Sequence, residues 1–172
     1  YDEKPTAPEV LHEMERVLDA TLGTHGEDEI LRNPLIRTHI LATRSRALVD
    51  TDHRAALLAG LGAAALANTF SRKALATFFE RWVFHTGDAA FEFQGFSTRQ
   101  TCLQAEALRP AVLATGAVPL LIPGIRDLPG AAAGIYRDGG ITDYHFDFTF
   151  RRPAGLVLFP HFFTRISPGW FD

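Results

Sequence analysis

Asp138, Asp143, His145 and Asp147 fall within the twelve residues Tyr136–Asp147, YRDGGITDYHFD, and the Gly139-Gly140 pair separates the first two. Carboxylates and imidazoles are the side chains that take up and return protons or hold divalent metals near neutral pH. Two adjacent glycines permit positive φ and close backbone approach, so the chain can turn sharply just after Asp138. If Gly134-Ile135-Tyr136 is extended, the Asp138 carboxylate stands at the end of a strand, where open α/β sheets bind ligands. The plainer use of the same residues is an ordinary Asp-Gly turn. A second constellation is open at the same place. If residues 143–147 are extended, Asp143, His145 and Asp147 point to one face and could ligate a divalent metal, with His161 or Asp138 as a fourth ligand. The same alternation is also the mark of a solvated face.

Other candidates carry less. Cys102 is the single cysteine, which excludes an internal disulfide framework and a multi-cysteine metal site. It sits in a helical pattern and reads as a small buried hydrophobe of a reduced, cytosolic protein. The glycines of AGLGAAA lie inside a helical run and follow no strand, so they make a poor anion-binding loop. His39 reads as a hydrogen-bonded polar residue on its strand.

The elements that must position these residues follow from periodicity. Residues 6–23 predict an amphipathic helix, with Thr6 and Glu9 as a capping box, Pro8 in the first turn and Gly23 as the stop. GEDEILRN predicts a short helix ended at Asn33-Pro34. The centre of residues 35–48 alternates like a strand. Residues 51–70 are rich in Ala and Leu and predict a helix capped by Thr51 or Asp52. SRKALATFFERW predicts another helix, capped by Ser71. WVFHTGDAAFEFQGF predicts two short strands about a Gly87-Asp88 turn. Residues 97–119 predict a helix capped by Ser97, broken or kinked at Pro110 and ended near Gly116. LLIPG and GIYRDGG are short extended pieces, and GLVLFPHF is a buried strand. Strands alternating with helices imply one α/β domain over residues 1–172, with a mainly parallel sheet and flanking helices.

Composition bounds the function. The chain has 172 residues, 47% apolar and 22% charged, which suits one globular domain with a real core. A net charge of −3 without a Lys/Arg block leaves no electrostatic footprint for nucleic acid. The longest apolar run, Ala55–Ala67, is thirteen residues, short of the roughly 20 that cross a bilayer. No signal peptide opens the chain, and the missing initiator Met and abrupt end suggest a piece of something longer. The aromatic stretch FPHFFTRISPGWF is either a packed strand end or an apolar rim for acyl chains or a membrane surface.

LRPAVLATGAVPLLIPG followed by YRDGGITDY resembles the C-terminal half of the patatin-like phospholipase family. That family has a helix ending in small residues before a Pro (here Ala111–Pro119), an apolar segment, then a strand and a D-G-G or D-G-A triplet (here Asp138-Gly139-Gly140). The resemblance covers about residues 105–172. It implies an incomplete three-layer domain and a Ser-Asp dyad that hydrolyses lipid acyl esters without cofactor or metal. Asp138 would be the general base, with Gly139 and Gly140 setting its turn. Burial among groups such as Ile135, Ile141 and Leu121 would raise the carboxyl's affinity for a proton. The family's G-x-S-x-G nucleophile elbow and glycine-rich oxyanion loop are absent from these 172 residues. Ser97, in QGFSTR, is the nearest serine with glycine company. The chain alone is therefore expected to be inactive. Its expected partners are a lipid or acyl-ester substrate, a peripheral membrane surface, and a homo-oligomer or covering chain for an exposed sheet edge.

Overall fold

The computed structural model describes residues 5–87, 91–93, 97–146, 148–150, 156, 158 and 164–171. The chain opens with α1 (Ala7–Leu22) and α2 (Gly26–Arg32). The capping box forms as its residues dictate: the Glu9 carboxylate accepts from the Thr6 N–H at 2.7 Å and from its hydroxyl at 2.8 Å. Gly23, at φ 55°, stops the helix. Neither helix buries a residue fully. Both are tied to the body through Arg109, which pairs with Asp19 and Glu27.

The sheet has five strands in the order β4-β2-β1-β6-β5. They are β1 (His39–Ser45), β2 (Phe79–His85), β4 (Thr98–Cys102), β5 (Ile125–Arg126) and β6 (Ile135–Asp138). A separate two-stranded ribbon joins β3 (Phe91–Glu92) to β7 (Thr149–Phe150). Between β1 and β2 runs α3 (Arg54–Phe70); α4 (Ala105–Thr115) follows β4, and α5 (Gly140–Asp143) follows β6. No helix among the described residues is long and apolar enough to cross a membrane.

The fold is α/β with flanking helices, but the sheet is not mainly parallel. Only β2 and β4 run parallel; β1–β2, β1–β6 and β5–β6 are antiparallel. The reason lies in the connection. After Ser45 the chain passes through α3 and a 3₁₀ turn (Arg72–Thr77) and re-enters at the end it left, so that Ser45 opposes Phe79 and the Arg46 N–H donates to the Phe78 carbonyl. A parallel return would have to carry the chain back to the start of β1.

Several boundaries move with it. Ser71 caps the 3₁₀ turn by accepting from the Lys73 N–H, yet the expected helix stops there, because Phe79–His85 is held between two strands. The partner of Phe91–Glu92 is β7 rather than the strand before it, and Asp88 of the expected turn lies outside the described residues. Ser97 caps no helix. Thr98–Cys102 is a polar edge strand, α4 starts only at Ala105, and it continues through Pro110 because Ala107, Leu108, Ala111 and Ala114 are buried against the sheet. Most of GLVLFPHF, His161 and Asp147 lie outside the described residues.

Alternation divides the core. Ile40, Ala42, Trp82, Phe84 and Tyr136 pack under α4. Phe79 and Ile141 join Val49, Leu57, Ala64 and Leu75 under α3. That second face also carries ions. Arg81 on β2 donates from Nε and Nη2 to both oxygens of Asp143, each at 2.5 Å, and both side chains are buried. The Thr142 hydroxyl donates to the same carboxylate at 2.8 Å and lies 3.2 Å from the Thr43 hydroxyl.

Asp143→Asn should therefore lower unfolding stability by about 3–5 kcal/mol, because it strands the buried guanidinium. The double change Arg81→Met with Asp143→Leu should recover most of the loss in urea denaturation. A double variant as weak as the sum of both singles would contradict this account.

Candidate active site

β6 delivers Asp138 to the sheet's end. The Asp138 N–H donates to the Ala117 carbonyl just past α4, and Asp138 lies opposite Ala42 on β1. Beyond it the chain must pass close over β1. A Cβ at Gly139 would fall far inside contact distance of the Leu41 carbonyl oxygen. Gly139 has φ −62° and ψ −25°, and neither Gly139 nor Gly140 takes a positive φ. Of the two freedoms that the glycine pair offers, close approach is used and positive φ is not. The Thr142 and Asp143 N–H groups donate to the Gly139 carbonyl, which starts α5 at once.

The Asp138 carboxylate is half-buried, and its Oδ1 accepts from the Gly140 N–H at 2.7 Å. Burial lifts its pKa above the ordinary carboxylate value of 3.8, against the Gly140 N–H, which pulls it down. No other hydrogen bond reaches the carboxylate among the described residues. One oxygen is therefore left for an outside donor. The apolar surround differs from the one expected. Ile135 faces away, towards Gly124, and Leu121 is exposed.

Two aromatic residues close around this turn. A Cβ on Gly140 would lie 3.1 Å from Asp138 Oδ1, 3.3 Å from the Tyr144 ring and 3.4 Å from Trp170 Nε1. Tyr144 and Trp170 are 45% and 37% exposed, so they form a partly open rim beside the carboxylate. The C-terminal segment is held there because the Tyr144 and His145 N–H groups donate to the Pro168 and Ser167 carbonyls, while Phe171 stacks on Phe79. The sequence signalled an aromatic stretch but not its meeting with Asp138, nor the part of Tyr144.

The other candidates are placed elsewhere. Asp143 sits in a helical turn and is committed to Arg81, so it does not take its place in the expected extended ladder of ligands. His145 is buried, and its Nδ1 accepts from the Ser167 N–H at 2.9 Å. Asp147 is outside the described residues, among which no group of three or more His, Cys, Asp or Glu is placed to hold a metal. Cys102 is exposed at the end of β4, contrary to the buried position expected, because the segment is an edge strand and not a helix. His39 stacks on His85 across the β1–β2 pair, with ring centroids 5.9 Å apart. Ser97 is exposed, and none of Ser45, Ser71, Ser97 and Ser167 hydrogen-bonds to Asp138. No family model, no curated protein and no solved structure matches the chain.

The raised pKa has a signed consequence. The folded state binds the Asp138 proton more tightly than the unfolded chain, so this group's contribution to stability is fully present below about pH 4 and is lost as pH rises through the folded pKa. A carboxyl ¹³C titration should place the Asp138 midpoint above 3.8. Asp138→Asn should remove the matching downward slope from the stability–pH profile. A midpoint at or below the ordinary value would show that burial does not govern the group.

Proposed function

We propose that this chain supplies the general base, Asp138, of a Ser-Asp acyl-ester hydrolase of the patatin-like kind, within an incomplete three-layer domain. What carries this reading is one observation: a half-buried carboxylate at the end of β6, with raised proton affinity and one oxygen unengaged. A base with those properties can accept a hydroxyl proton directly, without a histidine between. The serine Oγ attacks the ester carbonyl carbon as its proton passes to the free oxygen of Asp138. Collapse of the tetrahedral intermediate breaks the bond to the alcohol, which leaves with that proton. Water then repeats the transfer on the acyl-serine, and the carboxylic acid is released.

The lone Gly140 N–H bond keeps the carboxylate oriented while leaving it basic. Tyr144 and Trp170 offer an apolar rim suited to a lipid acyl chain or a peripheral membrane contact. The scheme needs no metal or cofactor. It does need a serine elbow and oxyanion donors from polypeptide outside these 172 residues, which would be the partner of this chain. Edge strands β4 and β5 are where an added strand or a second copy could pair.

The chain alone should not turn over p-nitrophenyl butyrate, and a fluorophosphonate probe should label none of its serines. In the protein that contains the elbow, Asp138→Asn should cut kcat by about 10²–10⁴ while the far-UV spectrum is unchanged. Near-wild-type turnover by that variant, or serine labelling of the isolated chain, would overturn the assignment.

A further inference from the structure

Arg137, next to the candidate base, points the other way along β6. Tyr136 packs under α4, so alternation sends Arg137 to the α3 side of the sheet, where its side chain is only 1% exposed. Both of its hydrogen bonds leave from Nη2, to the Thr51 carbonyl at 2.9 Å and to Asp52 Oδ1 at 2.7 Å. Nε is buried and meets no acceptor among the described residues. A guanidinium carries five N–H donors, and those of Nη1, like that of Nε, meet no acceptor among the described residues.

Arg137 forms part of the wall of a cavity of about 200 Å³. The apolar side of that cavity is Leu57 with Leu120, Ile122 and Pro123. Its volume equals about seven waters, a space for a small organic molecule. The loop that builds it is under constraint: Leu120 has φ 68°, and Gly124 lies so close that a Cβ there would sit 3.3 Å from Arg137 Cζ. Arg54 also lines the cavity and donates to the Leu120 carbonyl at 3.4 Å. Against the two arginines of the lining stands one carboxylate, Asp52, whose Oδ1 accepts from the Gly124 N–H and Arg137 and whose Oδ2 accepts from Arg126. The local balance is positive beside an aliphatic wall.

From the unmatched guanidinium, the second arginine and the aliphatic wall, we infer that this cavity binds a small carboxylate carrying a short aliphatic chain. The anion accepts from the arginines, and the chain lies on Leu120 and Ile122. A charge-assisted bond to the carboxylate gives the affinity, and the apolar wall distinguishes the ligand from a bare inorganic anion. The site lies on the opposite face of β6 from Asp138 and does not rest on the hydrolase reading.

Butyrate titrated into ¹⁵N-labelled protein tests this. Saturable shifts of the Arg137 Nε–H signal and of the amides of residues 120–124 are expected at millimolar butyrate, with none from methyl butyrate. Arg54→Gln should weaken binding by about tenfold, the loss of one charged hydrogen bond. Ile122→Asp, a loop change that places a negative charge on the wall, should abolish it while the remaining amide spectrum stays folded. Three results would each overturn the inference: no saturable shift by about 30 mM butyrate, phosphate binding as tightly as butyrate, or both variants binding like the wild type.

Discussion

The close passage of Gly139 over the Leu41 carbonyl is the constraint on which the Asp138 end of the sheet depends. Any side chain there would push β6 away from β1. The displacement would move Asp138 off the Ala117 carbonyl, and α5 with it. Because α5 begins at this turn, the same contact sets where Asp143 meets Arg81. A local steric requirement thus couples a candidate base to a buried ion pair.

β6 works as a divider. Its four residues send Tyr136 into the aromatic cluster with Trp82 and Phe84, and Arg137 into the polar end of the α3 layer. Asp52 binds that polar end together by bridging Gly124, Arg126 and Arg137. Burial would raise the Asp52 pKa, but the Gly124 N–H and the two arginines outweigh it and hold the carboxyl below its ordinary value. Two carboxylates, Asp138 at the end of β6 and Asp52 in the loop before α3, are therefore shifted in opposite directions. Asp52 is surrounded by donors and cations, whereas Asp138 has a single amide. That contrast is how one fold keeps a structural anion and a basic one side by side.

What could be read from the sequence was whatever local chemistry decides. The Thr6–Glu9 box, the Gly23 stop and the Ala-rich α3 all depend on neighbours within a few residues. Distant partners decided the rest. Asp52 was a fair N-cap candidate for α3, but Arg137 and Gly124 recruit its carboxylate, and His53 takes the cap. Phe79–Trp82 looked like the continuation of a helix, because its strand character comes from β1 and β4 on either side. Strand direction was illegible for the same reason: α3 returns the chain to the end it left, and no residue within α3 encodes that. Asp143 looked like a ligand because Arg81, its counterion, lies far away in sequence.

The antiparallel pairing of β1 with β2 also orders events in time. β1, α3 and β2 follow one another along the chain and can associate after closing one modest loop. β6 docks on the other side of β1 only after just over half the chain has intervened, a contact of high sequence separation that is slow to form. The acid-bearing strand is thus a latecomer to a preassembled platform. In a partly folded or newly synthesised molecule, the corner that holds Asp138 would be the last to mature.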